Sequence, residues 1–323
     1  IPLLVFDAVG DEKMLEIGKR KTIDNMAHHV SHFGVHDHGF NNLSTYGNLL
    51  RNTNMGHFKA SEGEKEFYRL ALKMSGAVQA KRWTATKDGG YIYSFNGPHS
   101  LFIDTIRTCR ILLAAYQLGH RMLDENDREI DLLDRAIVHA LTTAKYAVSY
   151  GEGRDAYDVR GRVAHESVFN TNDGNYRCPN AQQGFSGFTT WTRGLSWAML
   201  GFPEFLEFLE EINPDYPELE NVKKTLLRTA QATGDFFIEN TAAEGIHYWD
   251  TGAPDLHRLG TYQESPADPY NDFEPVDSSA AAIGAQGLIR LGRLLDKTAP
   301  EAARKYYQAG LTTLNTLLSE PYL

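Results

Sequence analysis

Chemistry at neutral pH needs groups that move protons or hold charge, and four short stretches of this sequence supply them. The first, GVHDHGFNN, sets His36, Asp37 and His38 side by side just ahead of a helical pattern. Adjacent side chains diverge in direction, and no HExxH or second cluster completes a coordination shell. A carboxylate served by its histidine therefore fits better than a metal centre, with an ordinary polar loop as the plain alternative. The second, NGPHSLFIDTIRT, puts Asp104 early in a helical pattern, off the Phe102/Ile106/Cys109 stripe. A carboxylate near a helix N-terminus holds its proton weakly. A general acid needs the opposite, from desolvation or a second carboxylate, and Asp37 is the candidate for that second group. The third, RVAHESVFN, offers His165 in a polar loop, where a lone histidine is more often structural than functional. The fourth, GIHYWDTGAPD, carries Tyr248, Trp249 and Asp250 in an aromatic loop that can wall a cleft or cover a helix end.

A fifth stretch, QGFSGFTTWTRGLSW, spends Trp191 and Trp197 where a plain amphipathic helix would use Leu or Ala. QGFSGF reads as a glycine-broken loop, with Thr189 or Thr190 as the cap of the following helix. Arg193 and Trp197 are then neighbours one turn apart. A guanidinium braced by an indole is held rigid, and its fork matches a carboxylate. The pattern suits a flat, ring-shaped, anionic ligand. A buried Trp pair beside a surface arginine is the alternative.

Helices must position these groups. Helical periodicity runs over about 10–31, 39–52, 62–81, 100–121, 129–150, 190–211, 216–240, 276–296 and 299–318. Ser100 reads as the N-cap of the fourth segment, and Asp277 with Ser278 as the cap of the eighth. Strand signals are confined to GGYIYSF and GIHYWD, as short hairpin pieces. No Pro-rich linker and no repeat divides the 323 residues, so one all-α domain over 1–323 is expected, built from helix pairs closing into a toroid.

Composition narrows the partners. Apolar residues at 42% and charged residues at 23% are ordinary for a globular chain with a large core. Aromatics at 11% fit either that core or sugar stacking. A net charge of −10 without a basic run argues against nucleic acid and anionic membrane. No apolar run approaches a membrane span. Two cysteines, Cys109 and Cys178, rule out a disulfide scaffold and leave the compartment open between bacterial periplasm and cytoplasm, with no signal segment visible.

Five segments in order from residue 36 to 291 carry a resemblance: HDHGF, FIDTIRT, QGFSGFTTWTRGLSWAMLGF, YWDTGAP and DSSAAAIGAQGLIRL. Together they resemble the unsaturated glucuronyl hydrolases of glycoside hydrolase family 88. The resemblance implies an (α/α)6 barrel, and the nine helical segments against twelve make the expectation a barrel abbreviated at both ends. It implies hydration of the C4=C5 double bond that polysaccharide lyases leave on a non-reducing uronate. Carried over, Asp104 would be the general acid/base and Asp37 its companion. Gln183, Trp191, Arg193 and Trp197 would line the uronate subsite, with His36 and His165 as further polar contacts. No metal or organic cofactor is implied; the partner is an unsaturated uronic-acid oligosaccharide, and the chain is expected as a monomer or weak homo-oligomer. The sequence departs from the family in placing Gly187 and Phe188 after Ser186, where acidic residues are common, and in lacking a Trp-bearing first helix. The unsaturated rhamnogalacturonyl hydrolases of family 105 and a non-catalytic sugar-binding barrel are the alternatives.

Overall fold

The computed structural model describes all residues, 1–323. They form two compact units: Ile1–Thr84, Ile92–Pro98 and Thr108–His139 in the first, Ala85–Tyr91, His99–Arg107 and Ala140–Leu323 in the second.

The first unit holds α1 (Pro2–Val9), α2 (Glu12–Ser31), α3 (His38–Asn42), α4 (Asn48–Asn54), α5 (Glu62–Lys81) and α6 (Cys109–Gln117). Two of these starts have a side-chain cause. Asp11 caps α2 by accepting the Lys13 and Met14 N–H groups, and Ser61 with Glu64 closes a reciprocal capping box on α5. A π-helical turn over Leu43–Gly47 joins α3 to α4. Helix α5 lies against α6, and Tyr46, Tyr68, Leu72, Ile111 and Leu112 are buried in this unit's core.

Short strands β1 (Trp83–Thr86), β2 (Gly89–Ile92) and β3 (Ser100–Phe102) follow α5. A small pair, β4 (Met122–Leu123) with β5 (Glu129–Ile130), follows α6, and α7 (Leu132–Ala147) carries the chain into the second unit. There β3, β6 (Glu166–Phe169) and β7 (Tyr176–Asn180) form an antiparallel sheet, with Ser100 opposite Val168 and Phe102 opposite Glu166. Helices α8 (Thr192–Ile212), α9 (Leu219–Asn240), α10 (Ser278–Leu295) and α11 (Pro300–Leu317) complete the unit. Helix α10 packs against both α8 and α11. Its small residues allow that approach: a Cβ at Gly287 would run into the Met199 carbonyl of α8.

Most expected helices are present within a few residues; α5 spans 62–81 as read from the sequence. Three expectations need correction. The segment 100–121 is not one helix but β3, a 3-10 turn over Ile103–Thr108, and α6. Ser100 accordingly is no cap; it is buried in β3 and donates its hydroxyl to the Glu166 carboxylate. A non-local strand partner overrode the local helical pattern. GIHYWD forms only isolated bridges, Trp191 with Asp250 and Tyr248 with Val276. Helix α1, started by Pro2 and stopped at Gly10 with φ 71°, lies ahead of the first segment with helical periodicity. No helix is long and apolar enough to cross a membrane.

Two buried histidines tie the fold to pH. His247 lies 3.0 Å from the Phe237 carbonyl, to which Nε2–H donates, and burial pulls its pKa down to about 4. Nδ1 of His139 accepts the Ile92 N–H at 3.1 Å, and burial pulls it to about 3. A depressed folded-state pKa stabilises above the unfolded value and loses that stability as pH falls towards the folded one. Urea unfolding should therefore show stability falling between pH 6.5 and about 4, with roughly 3 kcal/mol assignable to His247. His247→Gln, uncharged throughout, should shrink that loss. In the same assay Gly287→Ala should cost roughly 1–3 kcal/mol by forcing α8 and α10 apart.

Candidate active site

In the second unit, the candidate groups gather where β3 ends and α8 begins. Ile103 donates its N–H to the His165 carbonyl at 2.9 Å, extending the β3–β6 ladder by one bond. The chain then tightens into the 3-10 turn, whose second residue is Asp104. Asp104 is 6% exposed, and one carboxylate oxygen lies 3.6 Å from Arg107. The Arg107 guanidinium in turn sits 4.2 Å from the Trp197 ring centroid. Trp197 on α8 therefore braces Arg107, not Arg193 as its i,i+4 spacing suggested. The signal for Arg107 was present as an i,i+3 pair, Asp104 with Arg107, inside FIDTIRT.

Trp191 is the N-cap residue of α8, so neither Thr189 nor Thr190 caps it. Thr190 instead bonds across to Val163, accepting its N–H and donating to its carbonyl, both at 3.1 Å. Gly194 lets the first turn close down: a Cβ there would meet the Trp191 ring at 2.9 Å and Ile103 at 3.2 Å. Arg193 lies beside Trp191, 5.4 Å from the ring centroid, and its Nε donates to Asp277 at 2.9 Å. Asp277 caps α10 with its other oxygen, on the Ala280 N–H, as expected. One carboxylate thus anchors the starts of two helices. The Arg193 side chain remains 41% exposed, and its two terminal nitrogens bond to no protein group.

His165 is 2% exposed, not a polar-loop residue. Its ring lies 4.4 Å from that of Phe102 and 4.8 Å from that of Trp191. Backbone N–H groups of Gln182 and Gln183 donate to its Nδ1 at 3.0 and 3.3 Å, which places the imidazole proton on Nε2. His165 therefore sets the loop that presents Gln183, whose side chain is exposed. The same loop is pinned from the far side by Asp250, which accepts Phe185 N–H at 2.9 Å and Gly252 N–H at 2.9 Å. Burial pushes the Asp250 carboxyl up, against the pull of those donors.

In the first unit, His36 is 1% exposed and stacked on Phe95 at 5.8 Å. Its Nε2 lies 3.7 Å from the Asp37 carboxylate, and its carbonyl accepts the Thr108 hydroxyl at 2.5 Å. Asp37 precedes α3 as its N-cap residue without a side-chain cap bond, one-third exposed.

Residues 3–236 match the model of Glycosyl Hydrolase Family 88. The chain belongs to that family. Family 88 membership agrees with its similarity to the unsaturated glucuronyl hydrolase of Formosa agariphila, 25% identical over 90% of this chain and 59% of that protein. The unsaturated glucuronyl hydrolase of Bacillus sp. strain GL1 is 27% identical over 97% of this chain and 70% of its own length. The chain thus spans roughly three-fifths to seven-tenths of the length of these two relatives. Among solved structures, the Bacillus GL1 enzyme superposes with a TM-score of 0.69 at 24% identity, covering 98% of this chain and 71% of that one. A heparin-specific unsaturated glucuronyl hydrolase gives 0.73 at 21% identity, covering 100% and 71%. This family 88 chain has the α/α fold of those enzymes, as expected from the sequence.

The shared carboxylate makes a stability prediction. Asp277→Asn keeps the cap acceptor but loses the charge facing Arg193, and should cost about 1 kcal/mol in urea unfolding; Asp277→Ala, losing both, should cost about 2 kcal/mol or more.

Proposed function

We propose that this family 88 chain releases the unsaturated 4-deoxy-hexenuronate from lyase-generated oligosaccharides by hydrating its C4=C5 double bond. Asp104 is the general acid/base. Its proton goes to C4, leaving positive charge at C5 that the ring oxygen shares. The resulting carboxylate takes a proton from the water that adds to C5. The hemiketal so formed opens by breaking the bond from C5 to the ring oxygen. The hemiacetal left at C1 then collapses, and the sugar behind it departs. One water is consumed and the catalyst is regenerated.

The observation that carries this reading is the buried Asp104 carboxyl with a stacked arginine as its neighbour. A carboxyl shielded from bulk solvent exchanges its proton with a bound substrate in preference to water. Arg107, braced on Trp197, adds fixed positive charge beside the group that becomes negative. Arg193 supplies two unused guanidinium nitrogens next to an indole, the donor set that a uronate carboxylate with a flat ring requires. Gln183 lies on the loop set by His165 and would contact the same sugar.

Asp37 is the companion acid, with His36 orienting it. The resemblance of HDHGF and FIDTIRT to the two aspartate segments of family 88 supports this pairing. Trp191, Arg193 and Trp197 line the uronate subsite, and residues 1–323 act together as one catalytic domain.

The test is turnover of a panel of lyase-generated disaccharides, followed by loss of the double bond's ultraviolet absorbance. Asp104→Asn should lower kcat/KM by about 10²–10⁴-fold with circular dichroism unchanged. Turnover within about twofold of wild type by a folded Asp104→Asn protein would remove Asp104 from the chemistry.

A further inference from the structure

Three histidines of the first unit converge in a way that the proposed reaction does not use. His29 sits in the last turn of α2, His32 is its C-cap, and His38 opens α3 after a short reversal of the chain. Nδ1 of His32 lies 2.7 Å from Nε2 of His38, and Nδ1 of His29 lies 3.2 Å from the same nitrogen. The ring centroids of His29 and His32 stand 4.4 and 4.8 Å from that of His38, steeply inclined to it. His28 stacks on His29 at 4.2 Å. No carboxylate takes part in these ring contacts; Asp37, next in sequence to His38, acts on that ring through its charge.

Each neutral imidazole has one N–H and one lone pair. Two neighbours address the single Nε2 of His38, while its Nδ1 is buried without a protein partner. No hydrogen bond on the far side fixes the His38 tautomer; the cluster itself must. We propose that His29, His32 and His38 form a site for one divalent transition-metal ion of the Zn2+ class, with the fourth position open to water. Zinc takes imidazole nitrogens at about 2.0–2.1 Å in tetrahedral geometry, which puts ligand nitrogens roughly 3.3 Å apart. The two separations present, 2.7 and 3.2 Å, lie below that value, and rotation of the His29 and His32 side chains would open them to it. His29 is half-buried and His32 exposed, giving an ion a path from solvent, whereas His38 is 92% buried as the fixed ligand at 8% exposure.

Two features hold the fixed side in place. Asn42 ties α3 to the end of α2 by donating to the His29 carbonyl at 3.2 Å and to Ser75 at 2.9 Å. Gly39, next to His38, packs so closely that a Cβ would strike Ile111 at 2.6 Å and Thr108 at 3.0 Å. An ion here would cross-link the end of α2 to the residue that follows Asp37.

The experiment uses the full chain, stripped with a chelator and titrated with Zn2+ by calorimetry, then with Co2+ by visible absorption. One equivalent of Zn2+ should bind, with the intense visible bands of four-coordinate cobalt and a rise in Tm. His32→Gln and His29→Gln should each weaken binding at least tenfold, with Tm in chelator unchanged, because both sit at or near the surface end of α2. Asp37→Asn should leave binding within about twofold. Absent or multi-equivalent weak binding in the wild-type chain would overturn the site. So would full binding in both histidine variants, or loss of binding in Asp37→Asn, which would move the ion to the carboxylate.

Discussion

A single backbone hydrogen bond, from the Ile103 N–H to the His165 carbonyl, organises the proposed centre in the second unit. It adds one bond beyond the three β3–β6 pairs, at the first residue of a tighter turn whose second residue is Asp104. It also fixes the backbone from which the His165 ring projects between Phe102 and Trp191. That ring accepts the two N–H groups that shape the Gln183 loop. The acid and the loop that would hold its substrate are thus set by one pairing.

Charge in this unit is handled in two ways. Arg107 is largely withdrawn from water, between an indole and a carboxylate, and its orientation is fixed on both sides. Arg193 is fixed at Nε alone, by an aspartate already engaged in capping α10, and keeps its outer nitrogens in solvent. The first arrangement suits a group that must not move as a neighbour gains and loses a proton. The second suits a group that recognises a ligand. Asp250 performs a third task, holding the Phe185 and Gly252 backbone at the desolvation cost that its raised pKa records.

Helices whose cause is local were legible in the sequence. The capping box at Ser61 and Glu64 and the Asp277 cap are short-range signals, and α5 and α10 begin where those signals put them. Around Asp104 the cause is distant: Ser100 pairs opposite Val168 and donates to Glu166, sixty-six residues away, which periodicity cannot see. The same limit explains Trp197. Helical spacing named Arg193 as its partner, but Arg107, from another segment, holds the ring. Residue types at the site were therefore readable and their pairings were not. The family 88 resemblance narrowed the residues, while the Arg107 and His165 contacts came only from three dimensions.

The account stands on where the proton and the water go. The wild-type chain should be given an unsaturated disaccharide in deuterium oxide and, separately, in heavy-oxygen water, with the products read by NMR and mass spectrometry. Hydration predicts deuterium at C4 and heavy oxygen at C5 of the released uronate-derived acid, with no heavy oxygen entering at the anomeric carbon during bond cleavage. A product that keeps its C4=C5 double bond and carries heavy oxygen at C1 would show ordinary glycoside hydrolysis and contradict the account.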